Sequence, residues 1–300
     1  MKRRTLLAGL GAGGLSPGFG FSRARGAPGD QGATLDGRGT AADRERVGDR
    51  STGTLLAGTQ YATPVVTVDG PRDGPTVVVV GGLHGDERVG YRTAERVAAG
   101  DVAAGRLVVV PRANRPAIEA NTREGVGGDL NRQFTPGEAP ATELARAVWR
   151  VVAEADPDAV VDLHRSTGIY GVHRGSVGQA IFPTVTGEAT AYAADAAAYA
   201  NETEVPWYMP VHEYRRANRL DGSAPLLAHK VAADLGVAGY IVETTNYLVA
   251  LDTQVDWEFA VAEHLLRAHG LVRPDDGTEA DGAGASGEGN GTGGSGGAGE

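Results

Sequence analysis

The run Thr76-Val77-Val78-Val79-Val80 constrains the chain more than any other feature. Four consecutive valines show no polar alternation, so neither face of the strand they predict is suited to water. A strand covered on both faces belongs in a parallel sheet with helices above and below it. The neighbouring sequence supplies those parts. Pro64-Val65-Val66-Thr67-Val68 predicts a second strand, and further strands fall at 106–110, 159–163, 180–182 and 239–242. Apolar residues at helical spacing cover about 87–99, 139–155, 188–201, 224–235 and 255–269. Strands alternating with helices predict an α/β chain, a three-layer sandwich around a mostly parallel, mixed central sheet. In such sheets functional residues gather beyond the C-terminal ends of the strands.

Along the chain, four segments are distinguished. Met1-Lys2-Arg3-Arg4, followed by Thr5-Leu6-Leu7-Ala8-Gly9-Leu10 and a Gly-rich, weakly apolar run, has the form of a twin-arginine export signal over 1–24. It is too short and too rich in Gly to span a bilayer permanently. The expected location is therefore extracellular or at the cell surface, with no stable membrane span after cleavage. Residues 25–53 hold few apolar side chains and read as a flexible linker, 54–273 as the folded domain, and 274–300 as a disordered tail. That tail has eleven glycines, six acids and no base, so it carries six of the ten net negative charges. The body is only mildly acidic and lacks the clustered Lys and Arg that a nucleic-acid partner requires. Lys2 and Lys230 are the only lysines, an acidic, Arg-rich balance of the halophilic type. The absence of cysteine excludes disulfides, thiolate catalysis and Cys-based zinc sites. Nothing in the composition sets an oligomeric state.

The chemistry-bearing residues sit where strands end. The strand reaching Val80 runs into Gly81-Gly82-Leu83-His84-Gly85-Asp86-Glu87, after which a helix begins. His and Glu three apart at such a junction can face one metal ion. Taken alone, the pair is a weak signal that fits a surface histidine beside a helix-start glutamate favoured by the helix dipole. Val160-Val161-Asp162-Leu163-His164 adds a histidine at the end of a buried strand. His84, Glu87 and His164 then make the three-ligand set of a catalytic zinc site with an open position, one zinc ion per chain. Tyr240-Ile241-Val242-Glu243 places one carboxylate at another strand end, suited to act as general base for an attacking water. Gly128-Asp129-Leu130-Asn131-Arg132, preceded by Arg123, is too polar for a core strand, and arginine offers a planar fork for a carboxylate or oxyanion.

The order His-x-x-Glu, Arg, Asn-Arg, His, Glu resembles the zinc carboxypeptidase superfamily. Gly82-Leu83-His84-Gly85-Asp86-Glu87, Asp129-Leu130-Asn131-Arg132 and Asp162-Leu163-His164 together are most similar to its succinylglutamate desuccinylase and aspartoacylase family. The resemblance implies a zinc carboxypeptidase-like sandwich in which His84, Glu87 and His164 ligate the metal. It further implies that Asp129 accepts a hydrogen bond from the His84 ring, Asn131 and Arg132 hold a substrate carboxylate, Arg123 polarises the scissile carbonyl, and Glu243 is general base and then acid. Arg112 and Arg115 are alternatives to Arg123, because the glycines at 125, 127 and 128 leave the register open. The implied activity is hydrolysis of the amide bond in an N-acyl amino acid or similar small acylated amine. An exported carboxypeptidase acting on peptides is the alternative, and a non-catalytic zinc- or ligand-binding protein a second. The family's additional β-rich C-terminal domain is not expected here, since the fold reads as ending near Arg273. His173, His212 and His229 read as surface or pocket-wall residues and His264 and His269 as solvated. Trp207, Tyr208 and Tyr214 line a substrate mouth or pack in the core, and Arg165 either adds positive potential to the pocket or forms a surface ion pair.

Overall fold

In the computed structural model, which describes residues 48–173 and 175–274, the valine run lies inside strand β3 (Arg72–Gly81). Val77 to Val80 are all fully buried, and successive ones enter different apolar clusters, Val77 and Val79 on one face and Val78 and Val80 on the other. Burying such a side chain stabilises the fold by about 1.5–3 kcal/mol, so the run fixes β3 at the centre.

Among the described residues, β3 belongs to one sheet of eight strands. The others are β1 (Asp49–Leu55), β2 (Thr63–Asp69), β4 (Ala104–Val110), β5 (Ala159–Ser166), β6 (Ala180–Pro183), β7 (Arg215–Arg216) and β8 (Ala238–Thr245). Their order is β1-β2-β4-β3-β5-β8-β6-β7. The central strands β4, β3, β5 and β8 are mutually parallel, while β1, β2 and β6 join antiparallel. Six helices accompany them: α1 (Arg88–Ala99), α2 (Arg115–Ala120), α3 (Glu143–Glu154), α4 (Ala189–Thr203), α5 (Leu227–Lys230), which continues into a π-turn over Val231–Leu235, and α6 (Leu251–Ala268). Side chains of α1, α4 and α6 fill one cluster, and those of α3 and α5 fill the other. The architecture is the α/β three-layer sandwich with a mixed sheet. No helix of the described residues is long and apolar enough to cross a membrane.

The linker expected over 25–53 reaches too far into the chain. Asp49–Leu55 is the edge strand β1, paired residue by residue with β2 from Asp49↔Asp69 to Leu55↔Thr63. An edge strand is held by backbone hydrogen bonds and is commonly charged and exposed, so it shows no apolar alternation. Arg50 adds an anchor, donating to the carbonyls of Ala98, Ala99 and Gly100 at the end of α1. The export signal at 1–24, the linker up to 47 and the tail beyond Pro274 lie outside the described residues.

Two rows of side chains across the sheet position the site. His164 on β5 is level with Glu243 on β8, and Glu243 is level with Ala180 on β6. One step toward the strand starts, Asp162, Ile241 and Phe182 form the second row on the same face.

Candidate metal centre

Beyond β3 the chain must turn sharply to bring His84 back over the sheet. Gly82 adopts φ +72°, a left-handed conformation that side chains rarely take. The turn is tied to the loop after β4, with the Ala113 and Asn114 amides donating to the carbonyls of Gly81 and Gly82. Glu87 closes the turn immediately before α1. At Gly90, an added Cβ would stand 2.3 Å from the Leu163 carbonyl oxygen, so the helix lies directly on β5 beside His164.

The consequence is convergence. His84 Nδ1 lies 2.9 Å from Glu87 Oε1, and His164 Nδ1 lies 2.8 Å from Glu87 Oε2. All three residues are buried, and one potential ligand atom from each falls within 4.8 Å of the others. The opposite nitrogen of each ring is also engaged. His84 Nε2 faces Asp129 Oδ1 at 2.9 Å, and His164 Nε2 faces Asp162 Oδ2 at 2.9 Å. Each imidazole is thus oriented by an outer carboxylate with Nδ1 turned inward, the arrangement that metal-ligating histidines ordinarily show. The Arg165 amide further holds Glu87 Oε2 at 3.1 Å.

Electrostatics suit a cation. Burial disfavours the charged forms, lowering the pKa of both imidazoles and raising that of Glu87, but mutual pairing outweighs it. His84 is raised by Asp129 and Glu87, His164 is raised well above its usual value by Asp162 and Glu87, and Glu87 is held far below the carboxylate range by both rings. Asp129, although burial acts against it, falls to about 2 through His84, Arg123 and Arg132. Glu243 behaves oppositely: burial lifts its carboxyl to about 7, with Glu87 and Asp162 adding to the rise and the imidazoles opposing it. Two imidazoles, the Glu87 carboxylate and the flanking Asp129 and Asp162 fit a divalent ion bound by His84, Glu87 and His164.

The remaining expected residues surround a cavity of about 190 Å³. Its polar wall is His84, Arg123, Asn131, Arg132, His164 and Glu243; its apolar wall is Val177, Phe182, Leu220, Leu226 and Ile241. Asp129 accepts from the Asn131 amide at 2.9 Å, and the Leu227 amide donates to Asn131 Oδ1 at 2.9 Å, which ties this loop to α5. Arg132 donates to the Asn131 carbonyl and forms no ion pair with a carboxylate among the described residues. Arg123 reaches Glu87 Oε1 at 2.8 Å and Asp129 Oδ2 at 3.4 Å. Arg112 pairs with Glu95, and Arg115 with Glu119 at 2.7 Å, so Arg123 is the arginine of the three that lines the cavity.

Asp162 is the site residue whose role the sequence left unassigned. The signal was present: it precedes His164 by two and therefore shares its strand face. Other candidates fall outside the cavity. His173 is exposed, His212 is buried against Tyr247 and Trp257, and His229 is bonded to the Ala224 carbonyl. His264 stacks on Tyr199 and His269 bonds the Tyr240 hydroxyl, so neither is simply solvated. Trp207 and Tyr208 project into solvent whereas Tyr214 is core, and Arg165 pairs with Asp86 at 3.0 Å.

The chain is similar to several known proteins. A stretch of 107 residues is 39% identical to the N-alpha-acetyl-L-2,4-diaminobutyric acid deacetylase of Halomonas elongata, covering 33% of this chain and 31% of that protein. Among solved structures, the cell shape determinant protein Csd4 of Helicobacter pylori in its product-bound form aligns with a TM-score of 0.58 at 21% identity, over 70% of this chain and 56% of that one. The product-bound ectoine utilization protein EutE (DoeB) of Ruegeria pomeroyi gives 0.54 at 21% identity, over 77% and 70%. An aspartoacylase family protein of Mesorhizobium loti gives 0.53 at 20% identity, over 75% and 68%. The chain thus spans about a third of the deacetylase and about half of Csd4, and the structural likenesses show a shared fold. A family model, the succinylglutamate desuccinylase/aspartoacylase catalytic domain, matches residues 73–245, and the chain belongs to that family.

Proposed function

We propose that the protein is a zinc-dependent hydrolase that cleaves the amide bond of an N-acyl amino acid or a related small acylated amine. One observation carries the reading: donor atoms of His84, Glu87 and His164 converge within 4.8 Å beside Glu243, at the ends of parallel strands. Family membership and the deacetylase relative support it. The cavity supports a small substrate over a peptide, since 190 Å³ lies below the roughly 300–1,000 Å³ usual for drug-sized ligands.

Zinc, held by His84, Glu87 and His164, would supply Lewis acidity toward the scissile carbonyl and the attacking water. The rest falls to the protein. Arg132, which forms no ion pair among the described residues, receives the substrate carboxylate with Asn131 beside it. Glu243 takes the proton of the attacking water and later delivers it to the leaving amine; a carboxyl lifted to about 7 suits both directions near neutral pH. Arg123, at the cavity edge, faces the oxygen that gains charge. Asp129 and Asp162 keep the two rings turned toward Glu87.

The test is turnover by zinc-loaded protein of N-acyl amino acids set beside short peptides. The Glu243→Gln variant should retain zinc and lose about 100- to 10,000-fold in kcat. Unchanged turnover in that variant refutes the assigned role, and hydrolysis of peptides alone replaces the deacylase with a carboxypeptidase. Export by the twin-arginine route is proposed on the strength of Arg3-Arg4 and the run that follows, and fractionation of the source cells tests it.

A further inference from the structure

The two walls of the cavity bear on the amino acid portion of the substrate. Val177, Phe182, Leu220, Leu226 and Ile241 are the apolar residues that line the cavity, and none has a charged or hydrogen-bonding side chain. Their placement follows from the register. Ile241 lies two residues before Glu243 on the same face of β8, about 7 Å along the strand. Phe182 stands directly opposite Ile241 on β6. Leu226 comes from another direction, and it is fixed beside the carboxylate cradle because its neighbour Leu227 donates to Asn131 Oδ1 at 2.9 Å.

Asn131 Nδ2 already faces Asp162 Oδ2 at 3.3 Å and His164 Nε2 at 3.2 Å, so Arg132 is the open donor of the two, and a substrate carboxylate resting on it has its α-carbon on the side of Leu226. Whatever the α-carbon bears must extend over Ile241 and Phe182, toward Leu220 and Val177. The geometry points to N-acyl derivatives of apolar α-amino acids, of about valine or leucine size, as the substrate class. This inference rests on the hydrolase reading and narrows it. Apolar contacts alone are non-directional, but they discriminate strongly against charge. A carboxylate or ammonium group placed against that wall finds no hydrogen-bonding side chain on it and loses hydration there, so discrimination of about 100-fold in affinity is expected. Lengthening or shortening an apolar substituent by one methylene changes selectivity by about 10- to 200-fold.

The experiment compares N-acetyl-L-leucine and N-acetyl-L-valine with N-acetyl-L-aspartate and N-acetyl-L-2,4-diaminobutyrate on the zinc-loaded full chain. Binding of the same four compounds to the Glu243→Gln variant is measured by calorimetry. Expected are a kcat/KM at least 100-fold higher, and tighter binding, for the two apolar compounds. Leu220→Arg, at the partly open rim of the apolar wall, should bring a guanidinium to it and shift the ratio toward N-acetyl-L-aspartate by at least 10-fold. Equal or better use of the charged compounds overturns the inference and leaves the hydrolase reading standing. So does selectivity that tracks the acyl group, with succinyl-leucine and acetyl-leucine separated while acetyl-leucine and acetyl-aspartate are not. Absence of any turnover overturns the hydrolase reading instead, and the calorimetric ranking then decides the pocket assignment by itself.

Discussion

Replacing Glu258 with glutamine should remove one proton's worth of pH dependence from the stability of the fold. Glu258 lies on α6 with no exposed surface, and neither carboxyl oxygen has a hydrogen-bond partner of normal geometry. Burial pushes its pKa well above 4.5. The hydroxyls of Thr93 and Thr244 and the charge of His164 temper the rise, while Glu243 adds to it. The folded protein thus keeps a proton that the unfolded chain releases above pH 4.5. Where the native state binds more protons, stability falls as pH rises, by about 1.4 kcal/mol per pH unit for one proton. Between pH 5.5 and 7.5 the loss is about 2.7 kcal/mol if the folded pKa lies above that window, and it stops once pH passes that pKa. An amide of the same shape does not titrate. Urea unfolding of both proteins at pH 5.5, 6.5 and 7.5 measures the difference, in which the other groups largely cancel. Glutamine should gain on the parent steadily with pH. A difference that stays flat would show that Glu258 is already ionised in the native state, and would refute the reasoning.

Asp162→Asn should weaken zinc binding about 10- to 100-fold, measured by competition with a chelator, because the His164 ring loses the carboxylate that orients it. Lys230→Met should cost about 2–4 kcal/mol in thermal or urea unfolding and raise KM more than it lowers kcat. The buried ammonium donates to the carbonyls of Thr135 and Glu138 and pairs with Asp234, pinning the loop that follows Asn131 and Arg132 to α5. Gly90→Ala should destabilise the fold by about 1–3 kcal/mol and reduce zinc occupancy, read by metal analysis of the purified protein, since its methyl group meets the Leu163 carbonyl.

How much of this was legible depended on what each residue answers to. Residues that answer to burial were readable: the valine run, the strand ends and the amphipathic helices all carry their environment in their own pattern. Segments held by backbone hydrogen bonds were not. β1 is polar because an edge strand needs no apolar face, β7 is only two residues long, and α2 has six residues with a proline in its first turn. Glu258 carries no sign of burial in the sequence pattern of the final helix, and its environment becomes apparent only when Thr93 of α1 and Thr244 of β8 are brought to it.

The site divides the same way. His84, Glu87, His164 and Glu243 could be singled out because a strand end is a local property, but choosing Arg123 over Arg112 and Arg115 required knowing where a Gly-rich loop folds. The two-residue period of a strand then places the proposed metal site and the proposed substrate wall on the same two strands. On β5 it pairs Asp162 with His164; on β8 it pairs Ile241 with Glu243, and the two strands run level. A slip of one residue in either strand would turn that strand's pair to the opposite face, and in β5 it would remove the proposed ligand His164 together with Asp162. The close contact at Gly90 packs α1 against the end of β5, which opposes such a slip. The register that aligns the proposed metal ligand His164 with Glu243 therefore also sets Ile241 in the apolar wall, whereas Phe182, Leu220 and Leu226 lie on other segments, and substitutions there should alter the proposed selectivity without loss of zinc binding.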